Sequence, residues 1–338
     1  MAWPRQVAVL CYRQCLLTVR NPGDALARLV TYFGIGLLSG GVFSEASGVQ
    51  SSLSLLFWLT NTVFLLPFAT LALYTSGKTS FVTEHSDDLV HVSAHFVATS
   101  LIETILNLLS GLFFIVPVYF TSGMRGSLSC HVGATFLSTL VSSTCLRVVV
   151  MLVSTQDMAF VIGSGMVSYG MLLSGFFIRF VEMAPVLGTL QWTSFFRYAI
   201  GYSAQCGLSG QMYVTEPLSA EHEAQLESRL GGLYTAIKAS TPSHISGDEV
   251  LHEYEYDALS LDESVGALLT IYGGLMVVLY LAHLRLATNL SEKGDLATFP
   301  PSSTKPSTWP MRRLIPPHGR PGEELAAAVH VVSTPGLL

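Results

Sequence analysis

Three short stretches of this 338-residue chain carry residue types suited to nucleotide hydrolysis. Residues 72–80, ALYTSGKTS, fit the loose form of a phosphate-binding loop: a small residue, four of any type, then Gly77, Lys78 and Thr79. In such a loop the lysine and the hydroxyl hold phosphate and magnesium. Residues 38–42, LSGGV, match most of a signature that grips a γ-phosphate, and residues 259–263, LSLDE, could pass for an apolar strand with the acidic pair that holds magnesium and water.

The elements needed to position these groups are missing from the pattern. A phosphate loop needs a short buried strand before it and a helix after it. Gly77 is instead preceded by more than 20 residues without charge, long enough to span a bilayer and too long for a strand. LSGGV falls in or at the end of another apolar run, and the signature precedes the loop, the wrong order. Six spans in about 340 residues leave no room for an α/β nucleotide domain. The reading is coincidence: no catalytic residues, not an enzyme, and no cofactor bound by this chain.

Composition explains why. Only 12% of residues are charged, half are hydrophobic, and mean hydropathy is +0.50. Such a chain cannot cover itself with polar surface and requires lipid. No Asp, Glu, Lys or Arg occurs in 46–77, 104–124, 158–178 or 264–284. Two further runs, 25–43 and 127–153, carry Arg28 and Arg147 near an end, where a long side chain can snorkel to the headgroups. The expectation is an all-α integral membrane protein with six spans, about 25–43, 53–74, 93–120, 129–153, 158–178 and 264–284.

Arg5, Arg13, Arg20 and Arg28 precede or open the first span, and Arg285 and Lys293 follow the last. The positive-inside rule then puts both termini in the cytoplasm, in the plasma membrane or an internal one. No removable signal peptide is evident. Residues 179–263 become a long external loop; between 207 and 263 it holds eleven acids against Arg229 and Lys238, a net of about −9, and reads as a small acidic cap with flexible parts. LSLDE lies in this loop, where there is no ATP. Cys130 and Cys206 fall at or beyond the outer face; a disulfide between them is possible and otherwise unsupported. The sequon at Asn289 lies on the wrong side to be glycosylated.

Five smaller features complete the pass. Residues 1–24 read as an interfacial helix, with Arg5, Arg13 and Arg20 within about 80° of one another opposite an apolar set. Residues 76–92 are polar and cytoplasmic, either a short amphipathic docking helix or a loop. Glu103 stands within the third span, where a carboxylate is costly; a proton relay and a structural polar link are both open. His91 and His95 are spaced i, i+4, but no Cys or further His accompanies them, so no metal is expected. Beyond residue 285, eight of the fifteen prolines mark a disordered cytoplasmic tail, 286–338.

The order of these features resembles the transmembrane half of ABC transporters of subfamily G, the white and pleiotropic-drug-resistance type with the ABC-2 membrane fold. The most specific stretch is SGFFIRFVEMAPVLGTLQWTSFFRYAI, residues 174–200, similar to the family's fifth span, its short re-entrant outer helices and its run of aromatic, Arg, Tyr and small residue around Arg197. LTVRNPGDALARLVTYFGIGLLSGGVF resembles the start of the first span, with Asn21 where Asp is usual. SFVTEHSDDLVHVSAHF resembles the first intracellular loop, the coupling helix that touches the nucleotide-binding domain. The likeness covers roughly residues 6–285. The chain departs from the family in lacking an amino-terminal nucleotide-binding domain, in Gly77 and the pair Asp87–Asp88, in the absence of an outer cysteine cluster, and in its tail.

The resemblance implies a homo- or heterodimer with another subfamily G half, and a substrate cavity on the twofold axis. Asn61, Phe64 and Met171 match cavity positions, Phe176 and Phe177 the outer plug, Glu103 and Arg197 polar positions in the membrane, and Phe81, Glu84, Asp87 and Asp88 the coupling segment. The implied activity is a permease subunit that exports lipid-like or amphipathic compounds, driven by ATP and Mg on a separate nucleotide-binding domain or subunit. The alternative is a truncated or regulatory membrane subunit pairing with full-length half-transporters, or a fragment whose start lies upstream. Nucleic acid is not an expected partner.

Overall fold

The computed structural model describes residues 3–20, 22–44, 48–87, 89–214 and 244–296. Nearly all of them are helical. α1 (Trp3–Arg20) precedes α2 (Gly23–Val42); α3 (Val49–Leu65) leads through a 3₁₀ turn (Leu66–Thr70) into α4 (Leu71–Ser86). Then come α5 (Val92–Ser122), α6 (Leu128–Leu152) and α7 (Gln156–Leu172). A cap follows, made of α8 (Pro185–Leu190), α9 (Phe195–Leu208), the antiparallel strands β1 (Met212–Val214) and β2 (His244–Ser246), and α10 (Gly247–Glu253). α11 (Leu261–Leu296) closes the sequence of elements.

Among the described residues, five helical stretches are long and apolar enough to cross a membrane: α2, the α3–α4 rod, α5, α6 and α11. The sixth expected span, 158–178, falls on a shorter helix. Its helix is α7, apolar but only 17 residues, about 26 Å against a hydrocarbon core near 30 Å. It stops at Leu173 because Gly175 turns the chain at φ +80, with the Phe180 ring filling the space a side chain would need. The rod is longer than expected, for the opposite reason. Pro67 lacks an amide proton and crowds the preceding turn, yet the helix only tightens to 3₁₀ there and resumes. Residues 76–86 therefore continue a membrane helix.

α6 is the buried centre of the bundle, with 78% of its apolar window covered, against 17% for α11. Its interior face is rich in small hydroxyl residues, among them Ser138, Thr139, Ser142 and Ser143. Small polar side chains let helices approach closely and find hydrogen bonds where water is absent; Ser142 donates to the Phe64 carbonyl at 3.2 Å. α2 and α5 run parallel, in register from end to end. Gly36 and Gly40, one turn apart, lie against the backbone at Phe114 and Val118, and a Cβ on Gly40 would meet the Val118 Cα at 3.1 Å. The LSGGV stretch is thus a helix-packing seam.

The other two look-alikes resolve in the same way. Gly77, Lys78 and Thr79 lie inside α4 with no strand before them, and Lys78 Nζ donates to the carbonyls of Val150 (3.0 Å) and Val153 (2.5 Å) at the end of α6. In LSLDE, Glu263 accepts from the Ser260 amide at 2.8 Å, and the Ser260 hydroxyl accepts from the Glu263 amide at 3.3 Å. That is a capping box opening α11.

The cap packs its own core, including Phe180, Ile200, Leu208, Tyr213, Val250 and Tyr256, onto Leu53 and Leu56 of α3. Burial pushes the Tyr256 phenol well above its usual range, and its hydroxyl donates to the Ser174 carbonyl at 3.3 Å. The acidic part of the external loop at 215–243 and the tail from 297 lie outside the described residues.

Cys130, in the first turn of α6, is disulfide-bonded to Cys206 of α9, with Cα atoms 5.7 Å apart. The sequence left this bond possible but unsupported, and 76 residues separate the two cysteines. Closing a loop of that size constrains the unfolded chain by roughly 4 kcal/mol in the chain-entropy account. Non-reducing peptide mapping of the purified chain should recover a Cys130–Cys206 peptide, and Cys206→Ser should lower the melting temperature by several degrees. Free thiols at both positions in protein from an oxidising compartment would contradict the fold as described.

Candidate functional site

The central polar network begins with Arg28 on α2. It does not snorkel: it is 4% exposed and turns into the bundle. Its Nη1 donates to Glu103 of α5 at 3.3 Å and its Nη2 to the Asn107 side-chain oxygen. Tyr74 of α4 donates to the same Glu103 oxygen at 3.3 Å, and Asn107 donates to Ser143 of α6 at 2.7 Å. Four helices thereby meet at one ion pair. In apolar surroundings a cation must find its counter-charge inside the protein, and the parallel α2–α5 register supplies it. Glu103 is a link with a named partner, which sequence reading missed. Arg28 and Glu103 are the opposite charges lying in neighbouring spans, and that was the available signal.

Arg197 belongs to a separate cluster. It is buried in the cap, where it donates to Gln191 and its guanidinium lies between the Phe180 ring (4.1 Å) and the Trp192 ring (4.0 Å). Cation–π contacts on two faces, with one amide acceptor, hold the short helices α8 and α9 to the turn after α7. Glu103 and Arg197 do not meet.

The positions matching the cavity and plug also divide. Phe64 is 1% exposed and stacks on Phe196 at 4.2 Å and Phe195 at 4.9 Å, inside the core of this chain. Met171 packs at the edge of that same cluster. Asn61 is half-buried, with a side-chain oxygen that has no partner among the described residues. Phe176 stacks flat on Phe57 of α3 at 4.1 Å, whereas Phe177 is 55% exposed and meets Phe57 edge-on at 5.2 Å. Of the two adjacent rings, Phe177 is the one left open to a neighbour.

At the opposite end, α4 is held by α1, α5 and α11. Glu84 pairs with Arg13 of α1 at 2.9 Å. Phe81 is fully buried against His95 of α5 (4.8 Å) and His283 of α11 (5.2 Å), so it anchors α4 internally and shows no surface to a partner. α1 is fastened by Trp3 to Ser93 (3.0 Å) and by Leu10 packing on Val90, Ala94 and Ala98. Asp87, at the C-terminal cap of α4, is exposed; Asp88 lies outside the described residues. His91 is exposed and His95 buried, so the i, i+4 pair is split between solvent and core.

Comparison with known proteins locates this arrangement. A family model described as ABC-2 type transporter matches residues 5–204. ABC transporter G family member 12 of Dictyostelium discoideum is 29% identical over 200 residues, covering 57% of this chain and 31% of that protein. Protein white of Drosophila melanogaster is 24% identical over 298 residues, covering 86% of this chain and 41% of its own length. The broad substrate specificity ATP-binding cassette transporter ABCG2 of Sus scrofa is 25% identical over 200 residues, covering 54% and 29%. The chain spans well under half the length of these curated relatives.

Two outcomes follow from the network and from Lys78. Glu103→Leu leaves Arg28 buried without its counter-charge and should cost about 3 kcal/mol of stability in detergent, whereas Glu103→Gln, which keeps a hydrogen bond, should cost less. Arg28→Leu combined with Glu103→Leu should recover much of that loss in a double-mutant cycle; additive losses would deny the coupling. Lys78→Ala should loosen the α4–α6 contact and lower the melting temperature without changing ATP binding, which should be undetectable at millimolar concentration in both proteins. Nucleotide binding lost in the variant would revive the phosphate-loop reading.

Proposed function

The chain belongs to the ABC-2 type transporter family, and from that premise we propose that it is a permease subunit exporting lipid-like or amphipathic compounds. ATP and Mg act on a separate nucleotide-binding domain or subunit, and the permease works as a homo- or heterodimer with another half of subfamily G type. The observation that carries this reading is the rod from Val49 to Ser86, nearly continuous from one end of the bundle to the other. At one end it exposes Asp87 beside the Arg13–Glu84 pair; at the other its Phe57 holds Phe176 and Phe177. A stiff element joining a docking end to an aromatic gate is what coupling requires.

Orientation is part of the proposal. The Cys130–Cys206 end faces the oxidising, outer side, and α1, with free Cys11 and Cys15, faces the cytoplasm. Among the relatives, one carries the description of broad substrate specificity, in keeping with the exposed Phe177 ring and the partly buried Met171 as surfaces for flat apolar ligands.

The test is a reconstituted complex of this chain with its ATPase partner, assayed for ATP turnover and for export of a fluorescent lipid analogue. If Phe177 meets its counterpart across a twofold axis, losing about 1 kcal/mol from the closed state raises the open population roughly fivefold. Phe177→Ala should therefore raise basal turnover and weaken selectivity by itself. Phe176→Ala should mainly lower stability, because that ring packs within its own chain. Unchanged turnover and selectivity in Phe177→Ala at normal surface level would remove the gate assignment. Copurification of full-length half-transporters alone, with no nucleotide-binding subunit, would replace the permease reading with a regulatory one.

A further inference from the structure

Between α1, α2, α4, α5, α6 and α11 lies a cavity of about 500 Å³, within the range that holds small ligands. Its apolar wall includes Leu17, Leu73, Ile102, Leu106, Val150 and Met151. Its charges are mostly partnered already. Arg13 is paired with Glu84, Arg28 with Glu103, and Lys78 with the two carbonyls at the end of α6; Asp24 sits exposed at the rim.

Arg147 is different. It lines the cavity, is 8% exposed, and among the described residues makes no hydrogen bond or ion pair. It does not reach the headgroup region by snorkelling, as its place near the end of a span had suggested, because every residue of α6 from 138 to 150 is buried in the bundle. A buried guanidinium with five donors and no acceptor is an arrangement that protein interiors otherwise avoid. Nε of Arg28, Nε of Arg13 and Nδ1 of His95 are enclosed in the walls around it without a partner among the described residues. Among the described residues lining this space, Arg147 is the cation without a partner, and the unpaired carboxylate is Asp24, exposed at the rim.

We propose that this cavity binds a phosphate-bearing amphiphile, with the Arg147 guanidinium on the phosphate and the apolar wall against the attached hydrocarbon. Arg is suited to this because its planar fork gives two parallel charge-assisted bonds to phosphate oxygens. The site lies within one chain, apart from Phe64, Met171 and Phe177, and it does not depend on the chain being a transporter. The phosphate can come from a membrane lipid or from a soluble phosphate ester.

The experiment uses the full chain in nanodiscs of phosphatidylcholine containing a minor fraction of phosphatidic acid, followed by native mass spectrometry after release into detergent. The chain should retain one phosphatidic acid under conditions that strip phosphatidylcholine. Losing a charge-assisted pair lowers affinity by roughly tenfold or more, so Arg147→Gln should lose the bound lipid and Arg147→Lys should keep part of it. Ile102→Trp, which fills the cavity from α5 and leaves Arg147 in place, should also lose it, and this variant decides the matter if Arg147→Gln does not fold. Displacement of the retained lipid by millimolar glycerol phosphate would assign the site to soluble phosphate esters; resistance would assign it to a lipid. Equal retention by the chain and both variants, or no preference for phosphatidic acid over phosphatidylcholine, would overturn the proposal.

Discussion

One buried cation sets the terms for the bundle. A guanidinium held away from water costs several kcal/mol unless a carboxylate meets it in good geometry, and Arg28 meets Glu103 only when α2 and α5 run parallel in a single register. The glycines follow from that register: with position 28 fixed against 103, Gly36 and Gly40 come to lie on the α5 backbone at Phe114 and Val118, where a larger residue would push the helices apart. Tyr74 then draws α4 to the same carboxylate, and Asn107 draws α6 through Ser143. The ion pair thus specifies which helices are neighbours. The glycine seam and the hydroxyl-rich face of α6 supply the close packing.

Much of this was legible in the sequence. Runs free of charge marked the apolar helices, because the cost of an ion in hydrocarbon is large enough to empty whole segments of charge. The helix α1 and the short helices after α7 were legible from a basic stripe and from residues 174–200. What failed were the inferences that depend on partners. Arg28 and Arg147 stand close enough to helix ends for snorkelling, and only the packing shows both turned inward. The end of α7 depended on one glycine turn, and the persistence of the rod past Pro67 depended on neighbours that hold it. The candidate site was read less well than the fold, since burial of Phe64 and Phe81 and the exposure of Phe177 arise from contacts among four or more elements.

The three nucleotide-site look-alikes show how a residue pattern can serve a different end. Gly40, which in the look-alike would approach a phosphate, instead approaches another helix. A lysine that would hold a phosphate instead satisfies the last carbonyls of α6, and an acidic residue that would hold magnesium instead caps α11. In each case the residue keeps its chemistry and changes its partner: close backbone approach to a helix, a cation for carbonyl acceptors, an anion for backbone amides in place of a metal ion. The context of strand, loop and helix is what separates the two uses.

The two fastenings of α6 have a consequence for the surrounding bilayer. Cys130 is bonded to α9 near one end, and Val150 accepts from Lys78 near the other. Twenty residues of straight helix between them measure about 30 Å, close to the hydrocarbon thickness of an ordinary membrane. With both ends tied to neighbours, α6 cannot tilt independently or slide to match a thinner or thicker bilayer. Adjustment to hydrophobic mismatch then falls to α11, whose apolar window is only 17% covered and whose 36 residues exceed the length needed. The central helix acts as a gauge of fixed length, and the outermost helix takes up the difference.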